Sequence, residues 1–168
     1  MKLTRDEHLY FNACAKALLA CPEVQSMSAF TQHGRVSCLE HSLSVAYYSY
    51  WLCRRLRLRV DGESLIRGAL LHDYFLYDWH EKSKDHRLHG FTHPARALKN
   101  AEQIFDLTPV EKDIIKRHMF PLTPVPPAYR ESYLVCLADK ICSSYETLHR
   151  DRVDWLLYHL QTRTATAK

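Results

Sequence analysis

The sequence predicts an all-α protein: one compact single-domain bundle of packed helices with no significant sheet. Only four glycines occur in 168 residues and the turn signals stand far apart, which argues against the many short strands of a sandwich or barrel. Three segments open with a capping box, in which a hydroxyl caps one backbone N–H and an acidic residue three positions later reaches back to another. These are Thr4 with Glu7, Ser37 with Glu40 and Thr108 with Glu111. The 46% hydrophobic content, spaced at helical intervals, is enough for one core and gives no sign of a second. The domain is expected to span residues 1–161, with 162–168 a frayed tail.

Each element follows from its local chemistry. The helix from Ser37 carries an inward stripe of Cys38, His41, Val45, Tyr48 and Leu52, so His41 takes a core-facing position near its start. The next is expected to begin at Asp61 and to bury Leu65, Ile66, Ala69 and Leu70; His72 and Asp73 straddle that same face. From Tyr74 to Thr92 the chain reads as too polar and irregular for a core element, which marks a functional loop. Thr92 or His93 is then expected to cap a helix through Ala95, Leu98, Ala101 and Phe105, with Pro94 in its first turn and His93 at its mouth. The helix from Pro109 buries Val110, Ile114 and Ile115 and so turns His118 inward. Pro121–Pro127 is a stiff connector to a helix from about Tyr129 to Leu148, apolar nearly all round, in which Asp139 has little access to water. A last amphipathic helix around Val153, Leu156, Leu157 and Leu160 is expected to pack on the bundle.

Composition narrows the function. The net charge of +4 is modest, and its densest part, Arg54-Arg55-Leu56-Arg57-Leu58-Arg59, falls at a helix end where cations complement the dipole; a nucleic-acid surface is disfavoured. The six cysteines form no C-x-x-C pair and lie mostly in apolar helical segments, as buried free thiols do. No signal peptide or membrane span is apparent, so a cytoplasmic location is expected.

A lone buried histidine is more often a satisfied core imidazole than a ligand. Here His41, His72, Asp73, His93, His118 and Asp139 take inward or helix-end positions on five separate elements, four imidazoles and two carboxylates in all. Imidazole nitrogen and carboxylate oxygen converging in an apolar interior call for compensation, and a divalent cation supplies it.

With these residues in place, the chain resembles the HD-domain superfamily of metal-dependent phosphohydrolases, whose ordered signature is H…HD…D on a helical bundle. The resemblance covers about residues 33 to 145 and is carried by Glu40-His41-Ser42, Leu70-Leu71-His72-Asp73 and Leu137-Ala138-Asp139-Lys140. It implies that His41, His72, Asp73 and Asp139 bind one divalent ion. Some relatives hold two, bridged by the aspartate of the His-Asp pair; Phe91-Thr92-His93-Pro94 and Arg117-His118-Met119 look like the positions that complete a second site. No glutamate closely follows His72-Asp73 and no Gly-Tyr-Pro motif occurs, so neither a nucleotidase nor a cyclic-dinucleotide phosphodiesterase is implied.

The expected activity is hydrolysis of a phosphate ester, of a small phosphorylated metabolite or a nucleotide, by a metal-bound hydroxide, the metal lowering the pKa of water from near 16 toward roughly 7. Asp73 and His89 are the expected catalytic residues, with Asp78 and His33 as further proton-transfer candidates and Lys82, Lys84 or Arg87 as phosphate clamps. Manganese, iron, nickel, cobalt and zinc all suit such ligands. A di-iron oxygenase and a non-catalytic, metal-stapled binding module are the alternatives. Oligomeric state is left open, and a membrane partner is not expected.

Overall fold

All three capping boxes form. The Glu7, Glu40 and Glu111 carboxylates accept from the backbone N–H of Thr4, Ser37 and Thr108 at 2.9, 2.9 and 2.8 Å, and the three hydroxyls accept in return from the glutamate N–H groups. They open α1 (Arg5–Leu19), α3 (Cys38–Arg55) and α6 (Pro109–Arg117). The computed structural model describes residues 2–33, 36–76 and 89–148, with backbone only at His33 and His89. The expected helix around Val153 to Leu160, the tail, Asp78, Lys82, Lys84, Arg87 and the side chains of His33 and His89 lie outside the described residues.

Seven helices make up nearly all of the described secondary structure. Besides those above they are α2 (Pro22–Gln25), α4 (Gly62–Leu71), α5 (His89–Ile104) and α7 (Arg130–Leu148). Asp61 caps α4 as expected, its Oδ1 accepting from the N–H groups of Glu63 and Ser64. The sheet is one small antiparallel pair, β1 (Thr31–His33) and β2 (Val36–Ser37), preceded by α2 and a 3-10 turn at Ser26–Ala29. Val24 and Met27 of that stretch are fully buried, so it is core although it carries no helical pattern long enough to read.

The packing puts α3 and α4 at the centre. Helix α3 contacts α4 and α7, α4 also meets α1 and α6, and α6 lies against α5 and α7. Helix α3 is buried well beyond the expected stripe: Ser42, Ser44, Ala46, Ser49 and Tyr50 are inside with His41, while Tyr48 and Leu52 are only half-buried. Small hydroxyl residues on a central helix let neighbours approach closely. Gly68 does the same between α4 and α6, where a Cβ would stand 2.6 Å from Ile114 Cδ1.

Three expectations need correction. Helix α5 begins at His89 and carries Pro94 in its interior, so His93 lies on a helix face in line with the buried Ala97 and Ala101 and not at the mouth. Pro94, lacking an N–H, gives no bond to the Gly90 carbonyl one turn before it. Tyr74 and Phe75, assigned to a polar loop, are core residues; the Asn100 side chain donates to both their carbonyls, at 3.2 and 3.1 Å. And α7, apolar nearly all round, buries only part of its surface: Leu134, Val135, Ala138 and Cys142 face inward with Glu131, Ser132, Asp139 and Glu146, while Tyr133, Leu137 and Ile141 are about half exposed.

Candidate metal centre

His72 is the C-cap of α4 and His118 the C-cap of α6, and each ring folds back on its own helix. His72 Nδ1 lies 2.7 Å from the Ala69 carbonyl and His118 Nδ1 2.9 Å from the Ile115 carbonyl. A carbonyl can only accept, so both Nδ1 atoms carry hydrogen. On α3, His41 Nδ1 donates in the same way to Glu146 Oε2 at 2.8 Å. Three imidazoles from three helices thus have Nδ1 committed outward and Nε2 turned toward one point.

Two carboxylates meet them there. Asp73, directly after the C-cap of α4, puts Oδ2 3.4 Å from His72 Nε2 and 3.8 Å from His41 Nε2, and Oδ1 3.3 Å from His93 Nε2 and 3.5 Å from His118 Nε2. Asp139 of α7 accepts from His41 Nε2 at 3.1 Å and stands 3.7 Å from His72 Nε2. All six residues are buried, with His41 and His72 at 0% exposure. The six candidate ligands read from the sequence therefore lie together; of the expected proton-transfer residue His89, only the backbone is described.

The electrostatics follow from this crowding. Burial opposes charge on His41, but hydrogen bonds to Asp139 and Glu146 outweigh it and raise its pKa to about 10. His72 is raised for the same kind of reason, burial being outweighed by Asp73 and Asp139. Burial opposes ionisation of Asp73 and Asp139 too, yet the facing imidazoles hold both carboxyls below the usual range. His118 goes the other way: burial, and then His72 and His93, push it down to about 3. It is neutral, so its Nε2 bears a lone pair and accepts from His93 Nε2 at 2.7 Å.

A cluster so arranged calls for positive charge, which protons on imidazole or a metal cation can provide. His72 Nε2 and Asp73 Oδ1 are buried without a hydrogen-bond partner, an arrangement that leaves coordination capacity unused. The donor atoms fall into two groups that could hold an ion, His41 with His72 and Asp73, and Asp73 with His93 and His118, each with its atoms within 4.8 Å of one another. Asp73 belongs to both.

Supporting residues escaped the sequence reading. Gln32 of β1 donates from Nε2 to Asp73 Oδ2 at 2.6 Å, and its Oε1 accepts from the Cys38 thiol. A two-strand hairpin gives no local signal of that contact. Lys140 Nζ donates to the His118 carbonyl at 3.0 Å, holding the C-terminus of α6 where a cation complements the helix dipole. Glu146, two turns beyond Asp139, was legible only through its i, i+7 spacing on the same face of α7.

Among the described residues no helix is long and apolar enough to cross a membrane. Searches of curated proteins and of solved structures gave no match. A family model did: the HD domain matches residues 38–143, a span that takes in all six clustered residues. HD domains are metal-dependent and of hydrolase type. With the match covering more than half of the sequence and the His72-Asp73 pair at the centre of its buried cluster, the chain belongs to the HD-domain family.

Proposed function

We propose that this chain is a phosphohydrolase that cleaves a phosphate ester of a small metabolite or nucleotide with the help of divalent metal. The observation that carries the reading is the commitment of Nδ1 on His41, His72 and His118 to fixed acceptors, which leaves Nε2 of each aimed at Asp73, and those of His41 and His72 at Asp139 as well. Histidines that ligate metals are oriented in this way through their second nitrogen. His41, His72 and Asp73 would hold one ion, with Asp139 beside them 3.1 Å from His41 Nε2 as the fourth ligand that the family resemblance implies, and Asp73, shared with His93 and His118, would hold a second. A bound divalent ion brings the pKa of its water toward roughly 7 and offsets charge on phosphoryl oxygens.

The chain's own residues do the rest. Asp73, its Oδ2 held by Gln32 and its Oδ1 facing His93 and His118 at 3.3 and 3.5 Å, is the residue we assign to orienting the attacking water between the two positions. Phe75 packs edge-on against His93 with ring centroids 5.8 Å apart and keeps bulk water from that side. His89, one turn before His93 on α5, is the residue we assign to protonation of the leaving group.

The test is a panel of phosphomonoesters, nucleotides and cyclic nucleotides, assayed with manganese, iron, nickel, cobalt and zinc in turn. Phosphate release that stops on chelation is the expected result. Iron-dependent oxygen uptake without phosphate release would replace hydrolysis by oxygenation, and no turnover with unfolding on chelation would leave a structural metal site.

A further inference from the structure

Glu146 lies past the last residue of the family match, yet it reaches the candidate centre. It is 3% exposed, and His41 Nδ1, 2.8 Å from Oε2, is its hydrogen-bond partner among the described residues. Helix α7 therefore touches both nitrogens of one ring. Asp139 faces Nε2 at 3.1 Å, and Glu146, seven residues and about 10 Å of helix further on, faces Nδ1. An imidazole clamped this way has one orientation: a half-turn of the ring would exchange Nδ1 for a carbon and leave the Glu146 carboxylate buried without a donor.

We propose that Glu146 is a positioning residue for His41, holding hydrogen on Nδ1 and so keeping Nε2 the ring nitrogen turned toward the candidate metal position. The proposal rests on the metal-dependent reading above. Glu146 touches neither metal nor substrate; it acts through the ring, fixing the tautomer and making Nε2 a stronger donor to a cation. This chain thus uses one face of α7 both for a candidate ligand, Asp139, and for the anchor of its neighbour on α3.

The experiment measures Mn²⁺ binding by electron paramagnetic resonance of the free ion in the full chain, with thermal stability recorded without metal. Wild type, Glu146→Ala, Glu146→Gln and His41→Ala are compared. Glu146→Ala is expected to bind Mn²⁺ about 10 to 100 times more weakly. Glu146→Gln keeps an oxygen that accepts from Nδ1 but loses the charge, so its affinity should fall between the two, about threefold or more below wild type. If the alanine variant does not fold, the glutamine variant alone decides, and an affinity equal to wild type overturns the proposal. Lower thermal stability of Glu146→Ala with unchanged Mn²⁺ affinity also overturns it, since that is what a merely structural carboxylate would give. Wild type and His41→Ala failing alike to bind Mn²⁺ would instead remove the metal reading itself, and this proposal with it.

Discussion

Gly68→Ala tests how tightly the fold and the candidate centre are coupled. The added Cβ would lie 2.6 Å from Ile114 Cδ1, 3.1 Å from Ile114 Cβ and 3.2 Å from its Cγ2. Rotation of the side chain can move Cδ1 away, but Cβ moves only with α6, so the two helices must separate. Overpacking of this kind destabilises by about 3 kcal/mol at the upper end of its range. Alanine in place of glycine in a helix returns about 1 kcal/mol, leaving a net loss of about 2 kcal/mol. Ile114→Val alone removes Cδ1 and should cost about 1 kcal/mol. In the double variant the two changes relieve each other, with a favourable coupling of about 1 kcal/mol. The clash also reaches the site, because His72 and His118 follow Gly68 and Ile114 by one turn each and their rings are 4.8 Å apart across the same seam. Urea denaturation of the chelated proteins gives the coupling, and Mn²⁺ titration should show weaker binding in Gly68→Ala that recovers in part in the double variant. Strict additivity, or a Gly68→Ala protein as stable as wild type, would refute the reasoning.

Other expectations follow from single residues. Because hydrogen bonds to Asp139 and Glu146 raise the His41 pKa to about 10, loading metal into chelated protein at pH 7 should release a proton, and affinity should tighten as pH rises toward about 10, where His41 loses its proton. Calorimetry in two buffers of different ionisation heat detects this, and a heat independent of buffer would count against it. Gln32→Ala leaves the buried Asp73 Oδ2 without its 2.6 Å donor; a loss of about 1–3 kcal/mol in urea denaturation is expected, and none would argue that the hairpin is dispensable. Arg57, the residue after the Leu56 C-cap of α3, has φ 53, while the N–H groups of Leu58 and Arg57 bond the carbonyls of Cys53 and Arg54. Glycine is the residue suited to that left-handed position, where an L side chain costs about 1–2 kcal/mol, so Arg57→Gly should stabilise by about 1 kcal/mol or less once the greater chain entropy of glycine is set against it.

Much of the site was legible because its chemistry contradicts its surroundings. His41 on an apolar stripe, His72-Asp73 after Ala69-Leu70-Leu71, and Asp139 in Leu137-Ala138-Asp139 are polar groups where only compensation keeps them. The helix starts at Thr4, Ser37, Asp61 and Thr108 were legible because capping is local. What escaped depends on tertiary partners. Helix α7 looks apolar on nearly every side, yet it buries Glu131, whose carboxylate accepts from the Asp61 N–H at 2.7 Å, and Glu146, which holds His41, while leaving Tyr133, Leu137 and Ile141 half exposed. That face also buries Leu134, Val135, Ala138 and Cys142, and hydrophobic periodicity carries no record of the hydrogen bonds that place the two glutamates there. Pro94 misled in the opposite sense: as a local signal it placed the start of α5 at Thr92 or His93, whereas the helix begins at His89.

The proposed function has Asp73 serve two metal positions at once. The most direct measurement counts Mn²⁺ bound per chain at saturation, by equilibrium dialysis with elemental analysis, in wild type and in Asp73→Ala, each checked for folding by circular dichroism. Two ions in the wild type, and loss of both in a folded Asp73→Ala protein, is the predicted result. A folded Asp73→Ala protein that binds as many ions as the wild type would contradict it.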